Sequence, residues 1–209
     1  MRRYRLVLQT VSMISVLLVF LSGCATTSLT TAWHDEQYSG KDALDDVLII
    51  AVTKEESVRR IFEDTFVAEF AGSDVQAIPS YTLASSDIKP TKSALDDAIA
   101  ESGAQFVLIT RHLGTDQKEH YRPPEPVMID PFYSSYYRYH PFAYRQVHYT
   151  PGYTYTVTTV SLEANLYDAQ TEKIVWSVQS KSVDPKMNKD YIVELVDIFS
   201  KNLQEKGLL

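Results

Sequence analysis

The charged side chains that stand closest together are two arginines followed by two acids, at Arg59, Arg60, Glu63 and Asp64. Side chains three or four residues apart are neighbours on a helix, so each arginine can reach a carboxylate. One interpretation is a set of solvated ion pairs, which contribute about 0.2–0.5 kcal/mol each. The other is an anchor for a partner or for the Tyr/Trp segment near the start of the chain. We favour solvated pairs, because charge runs on helices usually face water.

Two pairs of adjacent carboxylates, Asp45 with Asp46 and Asp96 with Asp97, are candidates for catalysis and for metal binding. Acid–base catalysis needs carboxylates that face each other across a substrate, whereas neighbours on a helix point about 100° apart. We therefore expect Asp96 to compensate a helix dipole and Asp97 to be solvated. No third oxygen ligand stands near either pair, so the sequence predicts no metal site.

The histidines, serines and glycines give no catalytic pattern. Ser80 and Ser134 lack the Gly-x-Ser-x-Gly context of a nucleophile. No two of the seven glycines lie within five residues of each other, which leaves no Gly-rich phosphate cradle. Four histidines lack the i, i+4 spacing and the Glu of a zinc protease: His112, His120, His140 and His148. The sequence predicts no catalytic, cofactor-binding or metal-binding residue.

Tyrosine is concentrated in one segment. Residues 120–155 hold nine of the 14 tyrosines and six of the nine prolines, with a formal charge of +1. Long structureless loops inside a domain are often functional or disordered. Three interpretations stay open: a low-complexity loop without a ligand, a contact surface for a protein or an envelope glycan, and a loop at a membrane interface. The candidate contact residues are Tyr133, Tyr136, Tyr137, Arg138, Tyr139, Tyr144, Arg145 and Tyr149.

Composition narrows the class of protein. The chain has 209 residues, one domain by its length, and a formal charge of −7. A nucleic-acid binder would normally present a basic face, so nucleic acid is not an expected partner. The only cysteine is Cys24, which excludes an intramolecular disulfide and a Cys-based zinc cluster.

The first residues have the layout of a secretory signal. Three arginines precede an apolar stretch from Leu6 to Phe20 that polar residues interrupt, and small residues follow it. A transmembrane anchor would need about 20 predominantly apolar residues, and this stretch is shorter and interrupted by polar residues. Removal of residues 1–23, which contain three arginines and no acid, changes the formal charge from −7 to −10.

The end of this segment, Leu21-Ser22-Gly23-Cys24, resembles the lipobox of bacterial lipoproteins. The resemblance implies cleavage before Cys24 and lipid on its sulfur, so that the lipid bilayer is a partner. Residue 25 is Ala, where Asp favours inner-membrane retention in enterobacterial lipoproteins. The resemblance therefore implies the periplasmic leaflet of the outer membrane. The alternative is an ordinary signal peptide with a chance cysteine.

The rest of the chain predicts a mixed α/β fold. Short apolar runs predict strands at 46–52, 75–78 and 106–109, and helical stripes separate them. This β-α-β-α-β order implies parallel strands with right-handed crossovers. Period-two alternation then predicts an antiparallel hairpin at 153–167 and 173–183, with one buried and one polar face. A final helix starts near Asn188. We expect about five strands and three helices, and a further short strand around 29–33.

The helix starts are predicted from side chains that cap a helix. Thr53 and Glu56 have the spacing of a capping box before the first helix, and Gly72 can end that helix. Ser93 and Asp96 suggest the start of the second helix, which ends near Gly103.

Several motifs in this fold resemble a family of bacterial lipoproteins that has no agreed biochemical activity. The motifs are Trp33-His-Asp, Val47-Leu-Ile-Ile-Ala-Val, Arg59-Arg-Ile-Phe-Glu-Asp, Ala77-Ile-Pro-Ser-Tyr and Asn165-Leu-Tyr-Asp-Ala-Gln-Thr-Glu-Lys-Ile-Val-Trp. The family commonly has Gly where this chain has Glu172, a difference that concerns turn geometry. The layout is also similar to the amino-terminal domain of TolB and to the curli-secretion lipoprotein family. The resemblance supplies no catalytic residue.

The sequence therefore predicts a signal peptide at 1–23, a lipidated lead at 24–45 and one α/β domain at 46–209, with an insertion at 120–152. We expect a non-enzymatic interaction or assembly module of the cell envelope. The insertion and the polar face of the hairpin are its candidate contact surfaces. The alternatives are an envelope hydrolase or transferase and a purely structural lipoprotein; the oligomeric state stays open.

Overall fold

Six strands form one mixed sheet in the computed structural model, which describes residues 27–38, 44–73, 75–83, 91–126 and 149–209. The parallel half starts from β2 (Asp46–Val52), whose apolar run is covered on both faces. β2 pairs in parallel with β3 (Gln76–Pro79) on one side and with β4 (Phe106–Arg122) on the other. The predicted β-α-β-α-β unit is confirmed.

The antiparallel half follows from the hairpin. β7 (Tyr153–Asp168) pairs with β4, and β8 (Ile174–Val183) pairs with β7. β1 (Thr27–His34) adds a sixth strand at the edge, antiparallel to β8. The strand order is β1-β8-β7-β4-β2-β3, so the fold class is confirmed, with six strands instead of about five.

Helices cover the two faces of the sheet unequally. α1 (Glu56–Phe70) and α3 (Lys189–Glu205) pack on one face, where they bury the larger cluster of apolar side chains. α2 (Lys92–Ser102) packs on the other face, against apolar side chains of β2, β3 and β4. Among the described residues, no helix covers β7, β8 and β1 on that second face.

The larger cluster depends on aromatic side chains at helical spacing. Phe62, Phe66 and Phe70 form a continuous row on α1, with ring centroids 5.5 and 5.7 Å apart. Trp176 is fully buried, and its Nε1–H donates to Asn202 Oδ1 at 2.9 Å. A buried indole N–H needs such a partner, so this bond fixes α3 against β8.

The helix starts correct two predictions. α1 begins later than a Thr53 capping box requires: Glu55 is its N-cap, and Thr53 Oγ1 accepts from Glu55 N instead. α2 is capped by Thr91, whose hydroxyl accepts from Ala94 N, and not by Ser93. The predicted Asn188 start is confirmed, since its side chain accepts from Tyr191 N.

Glu172, in the turn between β7 and β8, has a left-handed backbone conformation. This residue has φ +58°, in the left-handed region that glycine adopts without steric cost. Its carboxylate pairs with Lys92 at 2.6 Å on the surface.

β4 is much longer than the four apolar residues that predicted it. It has 17 residues and stays paired with β7 from Phe106 opposite Asp168 to Arg122 opposite Tyr153. Both ends of the predicted structureless segment are therefore strand, and a further two-residue pair, β5 (Glu125–Pro126) with β6 (Tyr149–Thr150), follows. Polar alternation conceals these strands, because they have no buried face.

Candidate functional site

The charged motif of α1 surrounds a buried carboxylate. Glu63 is fully buried and accepts hydrogen bonds at Oε1 from Ala51 N (3.0 Å), Arg59 Nε (3.2 Å) and Ser80 Oγ (2.7 Å). Its Oε2 accepts from Tyr81 N at 3.1 Å. These bonds tie α1 to the carboxyl ends of β2 and β3. The prediction that the Arg59–Glu63 pair is solvated is therefore wrong.

The signal for this burial lies in the helical spacing. Glu63 stands between Phe62 and Phe66 on the apolar stripe of α1, so its side chain has to enter the core. Arg59 is 15% exposed and also donates from Nη2 to Ser80 Oγ at 2.9 Å. A buried carboxylate of this kind needs both a counter-charge and donors for its oxygens.

Arg60 and Asp64 form an outer layer, as predicted for solvated charges. Arg60 pairs with Glu56 at 2.8 Å, and both side chains are more than half exposed. Its guanidinium lies 5.0 Å from the centre of the Tyr81 ring, a cation–π distance. Tyr81 Oη donates to Asp64 at 2.6 Å, and this bond raises the pKa of Tyr81.

An apolar groove opens at the carboxyl ends of β2 and β4, between the first turns of α1 and α3. Its volume is about 610 Å³, within the roughly 300–1,000 Å³ of ligand pockets. His112 lies in it, with Nε2 2.9 Å from Thr115 Oγ1. Its apolar lining includes Val52, Val58, Ile61, Phe62, Val160, Leu162, Met187 and Ile192.

The groove does not bring His112 and Asp116 together: His112 lines it and Asp116 does not. A β-bulge between His112 and Gly114 turns Asp116 to the opposite face of β4, where it pairs with Thr159. Glu55 is the one carboxylate among the residues that line the described groove, whose polar lining also includes Arg111, Asn188 and Lys189.

The sheet face opposite α1 and α3 is the second candidate surface. On β1, β8 and β7 its side chains are partly or fully exposed and no described helix packs on them, and we call this the uncovered face. At its centre Glu163 accepts from Arg111 Nε at 2.8 Å and from Gln179 Nε2 at 3.0 Å. Partial burial would raise the pKa of Glu163, but these hydrogen bonds and the Arg111 charge outweigh it and lower the pKa. The predicted polar face of the hairpin is confirmed.

Beyond the end of β8, the last residues of β4 and the first of β7 continue as a two-stranded ribbon, residues 117–122 and 153–158. Directly opposite residues in an antiparallel pair share a face. Arg122 opposite Tyr153, and His120 opposite Tyr155, therefore continue the uncovered face, while Tyr121 lies on the other face of the ribbon.

Aromatic rings form a row on this side of the ribbon. The His120 and Tyr155 rings are stacked with centroids 5.4 Å apart, and the Tyr155 and Tyr153 rings follow at 6.1 Å. Arg122 Nη1 lies 3.4 Å from Tyr153 Oη. Tyr153 is 52% exposed and Tyr155 45% exposed, so the row presents rigid aromatic surface to solvent.

The structure locates only some of the predicted site residues. Cys24 and seven of the candidate contact residues, Tyr133 to Arg145, lie outside the described residues, as do Ser134, His140 and His148. Tyr149 has its backbone in β6. Asp96 and Asp97 are both exposed on α2, as expected for Asp97. The prediction that Asp96 compensates the helix dipole is wrong, because α2 begins at Lys92 and its first turn holds no acidic residue. His112 and His120 lie on opposite faces of β4.

Two features are absent from the part of the chain that the structure describes. No three His, Cys, Asp or Glu side chains are grouped there so that they could hold a metal ion. Within the same residues, no helix has the length and apolar character to cross a membrane.

No protein-family model and no curated protein sequence matches this chain. Several solved structures are similar to it, among them these three. The PelC dodecamer from Paraburkholderia phytofirmans is 12% identical, with a TM-score of 0.39 over 85% of this chain and 96% of that one. Lipoprotein GNA1162 from Neisseria meningitidis is 13% identical, with a TM-score of 0.39 over 77% and 99%.

The LpoB C-terminal domain from Salmonella enterica is 14% identical, with a TM-score of 0.33 over 72% of this chain and 89% of that one. Because all three TM-scores lie below 0.5, these similarities establish neither the family nor the function of this chain.

Proposed function

We propose that the protein is a lipid-anchored, periplasm-facing interaction module of the outer membrane, without enzymatic activity. The lipobox-like sequence before Cys24 supports the anchor. The observation that carries the interaction role is the uncovered face, which continues from the sheet onto the aromatic row of the ribbon. Within the described residues, no helix covers three strands on this face, and two strands extend beyond the sheet, so surface is available there for a partner.

The charge of the uncovered face indicates which kind of partner it binds. Alternation along the strands places four cations on the uncovered face and its ribbon: Arg111, Lys118, Arg122 and Lys181. Asp116 and Glu163 are the acids at the corresponding described positions. The chain from Cys24 onwards has a formal charge of −10, so this is a basic, aromatic surface on an acidic protein. Its partner is an acidic surface of another envelope protein, recognised by Tyr and Arg side chains.

Charge reversal tests this directly. Lys118→Glu with Lys181→Glu changes the uncovered face, whereas Lys173→Glu with Lys201→Glu makes the same change of charge elsewhere on the surface. We expect the first pair to lower capture of the partner in envelope pull-downs by about tenfold or more, and the control pair to leave it unchanged. The capture should also weaken as the salt concentration rises.

Aromatic truncation separates the rings from the charges. Tyr153→Ala with Tyr155→Ala removes the exposed row, and Thr154→Ala with Thr156→Ala is the matched control on the other face of the ribbon. Unchanged capture in both the charge and the tyrosine variants would refute the proposal. A captured species that resists protease and yields to glycan-degrading enzymes would identify an envelope glycan as the partner and overturn the assignment to a protein.

A further inference from the structure

The chain start, the groove and the ribbon all lie at one edge of the sheet. Thr27 is the first residue of β1, and across the sheet it is level with Ser182 of β8, Val160 of β7 and Thr115 of β4. Thr115 lies just before the ribbon begins. Thr27 also contacts Ser182 through their hydroxyls at 2.9 Å, and Tyr191 of the groove wall donates to the same serine at 3.0 Å. The residue three positions before Thr27 is Cys24.

We infer that this edge, from which the ribbon projects, is a membrane-contact face that docks on the bilayer surface. The inference rests on the proposed acyl anchor at Cys24. It concerns the orientation of the whole domain, and it assigns the lipid bilayer as the partner of Tyr121 and Met187 at this edge, not of the aromatic row.

The reach of the chain supports this orientation. Three extended residues span at most about 10–11 Å, so an acylated Cys24 holds Thr27 within about that distance of the headgroups. Thr115 lies level with Thr27, and the seven steps from Thr115 to Arg122 at the ribbon end cover about 23 Å at 3.3 Å per residue. The ribbon is therefore longer than the tether, and must lie along the bilayer surface or enter its interfacial layer.

The opposite orientation is excluded by the same distances. β1 has eight residues, so the far end of that strand lies about 23 Å from Thr27. A tether of about 10 Å cannot bring the far end of the sheet to the membrane while the ribbon points away.

Exposed apolar side chains are concentrated at the edge near the anchor. Of the nine large hydrophobic side chains that are exposed among the described residues, seven lie there: Val52, Leu113, Tyr121, Tyr153, Tyr155, Val183 and Met187. Val193 lies about one turn further along α3, and Trp33 is at the far end of β1. Met187 is the most exposed, at 73%.

The chemistry of these residues suits a bilayer surface. Tyr side chains are enriched where membranes meet water, because the ring is apolar and the hydroxyl is polar. Lys186 and Lys189 flank Met187 in the chain, and lysine can bury its alkyl stem while its ammonium stays among the headgroups. Tyr121 and Met187 can therefore dock on lipid while the aromatic row on the other side of the ribbon stays available to a protein.

The single cysteine of the chain makes the test specific. With Cys24 acylated, a cysteine introduced by Met187→Cys or Tyr121→Cys is the one free thiol for an environment-sensitive fluorophore. Trp33→Cys is the matched control, since Trp33 is 50% exposed at the far end of β1. The full acylated chain is reconstituted in vesicles of phosphatidylethanolamine and phosphatidylglycerol that contain nitroxide-headgroup lipid.

We expect the fluorophores at 187 and 121 to lose most of their intensity to the lipid-bound quencher, and the fluorophore at 33 to keep it. Equal, weak quenching at all three positions in a chain shown by mass spectrometry to be acylated would overturn the membrane-contact face and leave the proposed function intact. A chain without acyl groups on Cys24 would contradict both.

Discussion

Replacing the buried carboxylate by its neutral isostere, Glu63→Gln, is the most demanding test of how α1 is joined to the sheet. In this variant the new amide oxygen can keep the three donors at the Oε1 position, namely Ala51 N, Arg59 Nε and Ser80 Oγ. The amide nitrogen then faces the backbone N–H of Tyr81, so that two donors oppose each other where one bond existed. In the alternative rotamer the amide nitrogen faces three donors, which is worse.

The expected loss of stability follows from these contacts. Breaking a buried ion pair by removing one charge costs about 3–5 kcal/mol, because the other charge stays buried. Arg59 is 15% exposed and retains some water, so we expect the lower end, about 3 kcal/mol. For a chain of this size that corresponds to a fall in Tm of about 6–12 °C.

Urea unfolding, followed by the fluorescence of the buried Trp176, measures this free energy. The control is Glu56→Gln on the same helix, which neutralises a carboxylate whose pair with Arg60 is more than half exposed. The control should cost less than about 0.5 kcal/mol. The buried pair would not hold α1 to the sheet if Glu63→Gln changed the free energy of unfolding by less than about 0.5 kcal/mol. The same conclusion would follow if the control lowered it as much as Glu63→Gln.

Three further predictions follow from the ribbon and the uncovered face. The folded state lowers the pKa of Glu163 below its ordinary value of 4.5. Its pair with Arg111 therefore stabilises the fold above pH 4.5, and this stability is lost as the pH falls through the lowered pKa. Between pH 7 and pH 3, the free energy of unfolding in urea should fall further for the unsubstituted protein than for Glu163→Gln. Gly152→Ala places a Cβ 2.5 Å from Tyr121 Oη and 3.0 Å from the Arg122 carbonyl oxygen. Because the ribbon end must shift to make room, its backbone amide hydrogens should exchange faster with solvent. Gly114→Ala is the control: its Cβ meets nothing within 4 Å, so amide exchange should not change. Deletion of residues 121–152 should keep the fold, measured by an unchanged midpoint of unfolding, and should weaken partner capture without abolishing it, because Arg122 is lost while Arg111, Lys118 and Lys181 remain. A large loss of stability would show that these residues support the sheet.

The parts of the fold that the sequence predicts are those where apolar periodicity reports burial. Asp46–Val52 is found as predicted because a strand covered on both faces must be apolar throughout. The long extension of β4 escapes prediction for the converse reason: residues 117–122 have no buried face, so they show no apolar alternation. Its partner strand is predicted, as the start of the hairpin at 153–167. The same limit applies to the candidate site. The polar face of the hairpin could be predicted, because its residues alternate with apolar ones at period two.

Glu63 illustrates a different limit. Its position on the apolar stripe of α1 is visible in the sequence, but its partners Ser80 and Tyr81 come from the end of β3, which only the tertiary fold brings to it. Local charge spacing therefore suggests a surface pair. A charged residue inside an apolar stripe is better interpreted as buried and paired.

The central claim is that one face of the ribbon, continuous with the uncovered face of the sheet, binds the partner. Photo-crosslinking amino acids placed one at a time at positions 153–158, in cells, test it most directly, because successive side chains of a strand point to opposite faces. We expect crosslinkers at positions 153, 155 and 157 to capture the same envelope protein, and crosslinkers at 154, 156 and 158 not to capture it. Capture that is uniform along the strand, or that occurs from the even positions alone, would contradict it.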